Sequence, residues 1–213
     1  KTDSNIQKGY PIQIDNFDDG FPGLNVVSNA NTFYTSGSLN DELFFFGGKN
    51  YYTYNKKLSD PVDLKRKNDK FEKIPYNFDF VINDENNEEM YFFNRDNIII
   101  LDTYFKYVKT VKINDLFKGI PASCNAGYKF SNEYFYFFKG NYVYKYSKIE
   151  NKIVKSYPMF INNVFKGLPT NIDAIFVNPL NEKLIAIKGL EYYYIVPDYG
   201  MDVFKVSETG LVD

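Results

Sequence analysis

Histidine and tryptophan are absent from this 213-residue chain, and cysteine occurs once. Without histidine there is no Ser-His or Cys-His nucleophilic pair and no histidine-based zinc site. The lone Cys124 permits no internal disulfide. Apolar runs fall far short of the roughly 20 residues that a membrane-spanning helix needs. No sign of charge dominates: 25 basic against 27 acidic residues leave a net charge of −2, so the electrostatic footprint of a nucleic-acid binder is missing. The densest basic run, Lys65-Arg66-Lys67 with Lys70, is interleaved with Asp60, Asp63 and Asp69 and reads as a solvated loop. No Asn-x-Ser/Thr sequon occurs among 25 asparagines, which speaks against heavy glycosylation.

What the chain does have is a repeat. Phe21-Pro22-Gly23-Leu24, Phe71-Glu72-Lys73-Ile74, Phe117-Lys118-Gly119-Ile120 and Phe165-Lys166-Gly167-Leu168 are spaced by 50, 46 and 48 residues. A second landmark follows each in phase, an aromatic or apolar run: Leu43–Phe46, Met90–Phe93, Phe135–Phe138 and Leu184–Ile187. Two landmarks repeating together at a period near fifty indicate an array of like supersecondary units.

The third unit shows the plan most cleanly. Small residues Cys124 to Tyr128 suit a strand in a crowded centre, and Tyr134 to Phe138 form an aromatic strand. Lys139-Gly140-Asn141 makes a tight hairpin turn, after which tyrosines at 142, 144 and 146 alternate as in a half-buried strand. Ile153 and Val154 begin a fourth strand ending at Tyr157, and Pro158 opens a short helix over Met159–Lys166. Unit two repeats this with strands near Phe78–Ile82, Met90–Asn94, Ile98–Thr103 and Lys106–Lys112, then a helix over Asn114–Lys118. Unit four has strands near Ile172–Val177, Lys183–Lys188, Glu191–Val196 and Asp202–Val206. Unit one is the least regular, with a long hairpin loop over Thr35–Glu42 and a charged insertion over Asp60–Lys70. Asn83 to Glu89 reads as an acidic surface loop.

Four short antiparallel strands and a one-turn helix, four times over, describe an all-β fold, a four-bladed β-propeller. The blades run over about 21–70, 71–116, 117–164 and 165–207 within a single domain. Residues 1–20 contain Gly9-Tyr10-Pro11-Ile12-Gln13-Ile14, an echo of Ser156–Ile161. This segment either packs beside the last blade and closes the ring or ends an upstream unit; the echo favours closure.

The pairing of Phe165-Lys166-Gly167-Leu168-Pro169 and Ile172–Phe176 with the run Tyr136–Tyr146 resembles the hemopexin repeat, over about nine-tenths of the chain. The resemblance implies a propeller with one repeat per blade and the first strands around a central channel. Its relatives include haem carriers, exosite domains of matrix metalloproteases, vitronectin-like adhesion proteins and plant seed albumins, none catalytic through the repeat itself. It also implies a secreted or surface location. Animal members close the ring with a disulfide, which this chain cannot form.

Five residues beyond the last signature position stand Asn29, Asp79, Asn125 and Asp173. The shared offset puts them at one level of the channel, where two carboxylates, two amides and strand carbonyls would suit a hard cation such as Ca²⁺ or Na⁺. Hemopexin-like channels hold such ions, and the resemblance points the same way. Equally, these side chains can cap strand ends by bonding neighbouring backbone. His-ligated haem is excluded by the absence of histidine. Cys124 reads as an inert packed thiol. The expectation is a non-enzymatic binding or adhesion module for a protein partner. The rivals are a small-ligand carrier for a polyamine, haem or similar molecule, and an exosite or targeting domain of a larger protease or toxin.

Overall fold

A strand buried on both faces is apolar at consecutive positions, and the aromatic runs are of that kind. In the computed structural model they become the second strands of four separate sheets, antiparallel but for one short parallel pair in the last. The structure describes residues 34–39, 42–47, 50–55, 64–66, 70, 71, 73–75, 77–177, 182–189, 191–198 and 203–211. The first signature (Phe21–Leu24), Asn29 and the expected ring-closing segment 1–20 lie outside the described residues.

Blade 1 consists of β1 (Tyr34–Leu39), β2 (Glu42–Gly47), β3 (Asn50–Asn55) and β4 (Leu64–Arg66). Blade 2 follows with β5 (Phe80–Asp84), β6 (Glu89–Asn94), β7 (Asn97–Asp102) and β8 (Tyr107–Lys112), then the single-turn helix α1 (Ile113–Leu116). Blade 3 has β9 (Ala126–Lys129), β10 (Tyr134–Lys139) and β11 (Tyr142–Ser147), with an outer strand in two pieces, β12 (Lys152–Ile153) and β13 (Met159–Phe160), then α2 (Ile161–Val164). The connector strand β14 (Phe165–Lys166) leads to blade 4: β15 (Ala174–Val177), β16 (Leu184–Lys188), β17 (Glu191–Pro197) and β18 (Phe204–Leu211). The first strands adjoin one another in a cycle, β1 beside β5, β5 beside β9, β9 beside β15 and β15 beside β1. The four first strands thus stand around one channel.

The signature phenylalanines sit between blades. Phe71, Phe117 and Phe165 are all buried, one in each of three aromatic cores. Phe117 lies with ring centroids 5.0 to 5.2 Å from Phe135, Phe137 and Tyr146 of blade 3 and 5.8 Å from Phe93 of blade 2. Phe165 stacks on Phe204 at 4.8 Å. Alternate residues of β10 face opposite neighbours: Phe135 and Phe137 pack toward blade 2, Tyr136 and Phe138 toward blade 4. The third signature position has positive φ in all three described repeats, 56° at Lys73, 87° at Gly119 and 82° at Gly167, hence the glycine in two of them. The N–H groups of Gly119 and Gly167 each donate to an asparagine five residues back, Asn114 and Asn162, at 3.0 Å.

Several segments differ from the sequence expectation. Thr35–Glu42 is mostly strand: β1 pairs with β2 through a bulge between Thr35 and Ser38, the extra length being taken up by the bulge. Leu64–Arg66, within the expected insertion, is the outer strand of blade 1. Met159 and Phe160 are not helical but pair with Val143 and Tyr142 of β11, so the outer strand of blade 3 resumes after a break at 154–158. Asn83 and Asp84 are buried at the end of β5, and only residues 85–88 form an exposed turn. β18 continues to Leu211 and pairs in parallel with β14 at its start.

Candidate binding face and the channel ring

Three of the four ring residues are described, and all three do the same job. Asp79 Oδ2 accepts the Arg95 N–H at 2.6 Å, Asn125 Oδ1 the Gly140 N–H at 2.8 Å, and Asp173 Oδ2 the Gly189 N–H at 2.6 Å. Each recipient is the first turn residue between the second and third strands of the same blade, with φ at +59° in every case. Such a left-handed residue leaves its N–H without a ladder partner, and the Asx side chain supplies one. The backbone N–H of each ring residue bonds to the strand before that turn, at Phe93, Phe138 and Ile187. The turns are also laced to the next blade: Ser123 N–H donates to Arg95 O at 2.8 Å, and Asn171 N–H to Gly140 O at 2.9 Å.

Lysines strengthen this end. Lys139 Nζ donates to Ala122 O at 2.5 Å and Lys188 Nζ to Asn171 O at 2.6 Å, and Lys188 also lies 3.6 Å from Asp173 Oδ1. Burial pushes the Asp79 carboxyl above its ordinary value, against the opposing pull of the Arg95 N–H and the charges of Arg95 and Lys139. One oxygen of each ring side chain is thus taken by its own hairpin. Among the described residues no group of three or more His, Cys, Asp or Glu side chains converges to hold a metal. The three described ring side chains thus serve as hairpin caps through one oxygen each.

At the other end of the channel, where β5, β9 and β15 finish, a cavity of about 230 Å³ opens between blades 2, 3 and 4. Ile82, Gly127 and Ile175 line it, with Glu85, Ser131 and Asn132 supplying polar groups. Gly127 is required there, because a Cβ would come within 2.7 Å of the Phe80 ring. Phe130 and Val177, also in the lining, are 41% and 42% exposed. Two large apolar side chains standing in water beside a cavity mark a contact surface more than a lone exposed apolar residue does.

Beside this mouth lies an ion cluster that local sequence pattern did not reveal. Asp84 is fully buried and accepts from Lys129 Nζ at 2.8 Å and Lys148 Nζ at 2.5 Å. The Tyr91 hydroxyl at 3.1 Å and Asn87 Nδ2 at 3.0 Å also donate to it. Burial would raise the Asp84 carboxyl, but the hydrogen bonds and charges of the two lysines outweigh it and hold it below its ordinary value. The cluster joins blade 2 to blade 3. Cys124 is buried, donates to Pro121 O at 3.2 Å, and has its thiol pushed up to about 12 by burial.

The hemopexin family model matches residues 125–170, one blade from its ring residue through the next signature. Solved structures match over 79–87% of the chain. The hemopexin-fold protein CP4 from cow pea superposes with a TM-score of 0.68 at 18% identity, covering 85% of this chain and 94% of that one. LS24, a seed albumin from Lathyrus sativus, gives 0.66 at 16% identity over 87% and 93%. A plant lectin with two metal binding sites from Cicer arietinum gives 0.60 at 18% identity over 79% and 89%. The third blade thus carries a match to the hemopexin repeat, and the chain as a whole has the hemopexin fold.

Proposed function

We propose that this protein is a non-enzymatic binding module that engages a protein partner through the channel mouth at the ends of β5, β9 and β15. The observation that carries this reading is the pair Phe130 and Val177, exposed beside the cavity while every signature phenylalanine described is buried. Exposed apolar groups rimmed by polar ones are the usual core of a protein contact. The chemistry of the chain supports a non-catalytic role: it contains no histidine, and its only thiol is packed and held protonated. The likeness to seed albumins supports the same role.

The cavity itself favours a second reading, a small-ligand carrier. Its lining sets the carboxylate of Glu85 beside apolar Val81, Ile82 and Ile175, with Lys129 held on Asp84, which suits a small molecule of methylene segments between ammonium groups, such as a polyamine. One experiment separates the two. Tagged protein and a Phe130→Ser, Val177→Ser variant are used for affinity capture from the native source, and both are also melted with spermine, haemin, Ca²⁺ and EDTA. A partner captured by the wild type and lost in the variant, with no shift from spermine or haemin, supports protein binding. A shift of several degrees with spermine or haemin, and no specific capture, supports the carrier.

A further inference from the structure

The repeat supplies its own control for finding what is special to one blade. In each sheet the first residue of the third strand faces a residue of the outer strand at the rim: Asn50 and Arg66, Asn97 and Lys112, Tyr142 and Phe160, Glu191 and Leu211. Blade 2 ties this position down with polar bonds, Asn97 Nδ2 donating to Asp96 Oδ1 at 2.8 Å and Lys112 pairing with Asp96 at 2.6 Å. Blade 4 does so with Glu191, whose Oε2 accepts the Tyr193 hydroxyl at 2.5 Å. Blade 3 instead sets two aromatic rings there, with centroids 4.9 Å apart and planes at 24°. They remain 41% and 53% exposed. Asn97 in blade 2 and Glu191 in blade 4 hold the position that Tyr142 has in blade 3, so the fold does not require a ring there.

The pair is also anchored. Tyr142, half-buried Tyr144 and buried Tyr146 follow one another on one face of β11, and Tyr146 is locked into the core between blades 2 and 3 beside Phe117. Aromatic area held this way is offered to a ligand at little cost in side-chain entropy. The surround then decides the ligand. Over residues 139–142 and 159–164 the only charged side chain is Lys139, and its ammonium is already bonded to Ala122 O. The exposed polar neighbours in sequence are Asn141, Asn162 and Asn163. Asn162 Oδ1 already accepts the Gly167 N–H, which leaves its Nδ2 to donate, while the other two amides both donate and accept. Flat rings among neutral amides match a molecule with one C–H face and a fringe of hydroxyls.

We propose that the Tyr142–Phe160 pair on the rim of blade 3 is a stacking seat for an uncharged pyranose, bound C–H face against ring with its hydroxyls meeting the asparagine amides. The seat is separate from the channel mouth and does not rest on the function proposed above. The test uses saturation-transfer NMR with the intact protein and neutral disaccharides at millimolar concentration: lactose, cellobiose, mannobiose and N,N′-diacetylchitobiose. At least one sugar is expected to receive saturation on its ring C–H protons. A Tyr142→Asn, Phe160→Lys variant, which carries the residues blade 2 has at this register, is expected to weaken that sugar at least tenfold while melting within a few degrees of wild type. Phe130→Ser with Val177→Ser is expected to leave the sugar signal unchanged. Silence from every sugar, an undiminished signal in the blade 3 variant, or a wild-type dimer that this variant dissolves would each overturn the proposal.

Discussion

Removing the Asp84 carboxylate is the sharpest perturbation this structure offers. In Asp84→Ala the ammonium groups of Lys129 and Lys148 lose their shared partner. Lys129 is mostly buried and Lys148 about one-third exposed. Breaking a buried pair by deleting one member costs about 3–5 kcal/mol; because Lys148 can turn to water, the lower end, about 3 kcal/mol, is expected here. For a domain of this size about 1 kcal/mol moves Tm by about 2–4 °C, so the melting point should fall by roughly 6–12 °C. Urea unfolding followed by far-ultraviolet circular dichroism would give the free energy directly. Changing both lysines to methionine in the Asp84→Ala background should recover most of the loss, since the penalty lies in the stranded charges. The pH dependence has a fixed sign. The folded-state carboxyl is held below its unfolded value, so its contribution is complete above the ordinary aspartate range and fades as pH falls below it. The gap between wild type and variant should therefore be constant from pH 6 to 8 and narrow below about pH 4. A loss under about 1 kcal/mol at pH 7, or no recovery in the triple variant, would refute the assignment of this cluster as a strut between blades 2 and 3.

Gly189→Ala should cost about 1 kcal/mol in urea unfolding, because its φ is +59° although nothing lies within 4 Å of the added methyl; the penalty is backbone alone. Asp79→Ala combined with Asp173→Ala should lower stability by about 1 kcal/mol per lost cap, equally in EDTA and in Ca²⁺, as thermal shift can show. A loss confined to Ca²⁺ buffer would instead make these carboxylates ion ligands. Cys124 should resist a thiol reagent at pH 8 in the native protein and react at once in urea, because its thiol is buried and held near 12; fast native labelling would contradict that packing.

The blade plan was readable because each repeated feature answers a local demand repeated in every unit. Phe117 and Phe165 recur because each fills the gap between two sheets, and Gly119 and Gly167 because the chain turns there with positive φ. The run Phe135–Phe138 is aromatic throughout because both faces of β10 meet a neighbour. The ring offset from Asp79 to Asp173 marked a real structural level, and the hairpin-capping alternative describes the geometry found there. What escaped notice depends on pairing across long stretches of chain. Asp84 meets lysines 45 and 64 residues away, and nothing in Asn83–Glu89 itself distinguishes a buried carboxylate from a solvated one. Tyr142 and Phe160 come together only because the outer strand of blade 3 breaks and resumes, which no alternation of residue types announces. The exposed Phe130 lies one residue beyond β9, and no residue type distinguishes it or Phe160 from the buried phenylalanines of the signatures.

The central claim is that binding takes place at the mouth where the inner strands end. Amide hydrogen exchange on the protein alone and with a co-purified partner tests it most directly. Slowed exchange is predicted over Lys129–Asn132 and at Val177, with the capped hairpins at Arg95, Gly140 and Gly189 on the opposite end unchanged. Protection of those hairpins with an unaltered mouth would contradict the account.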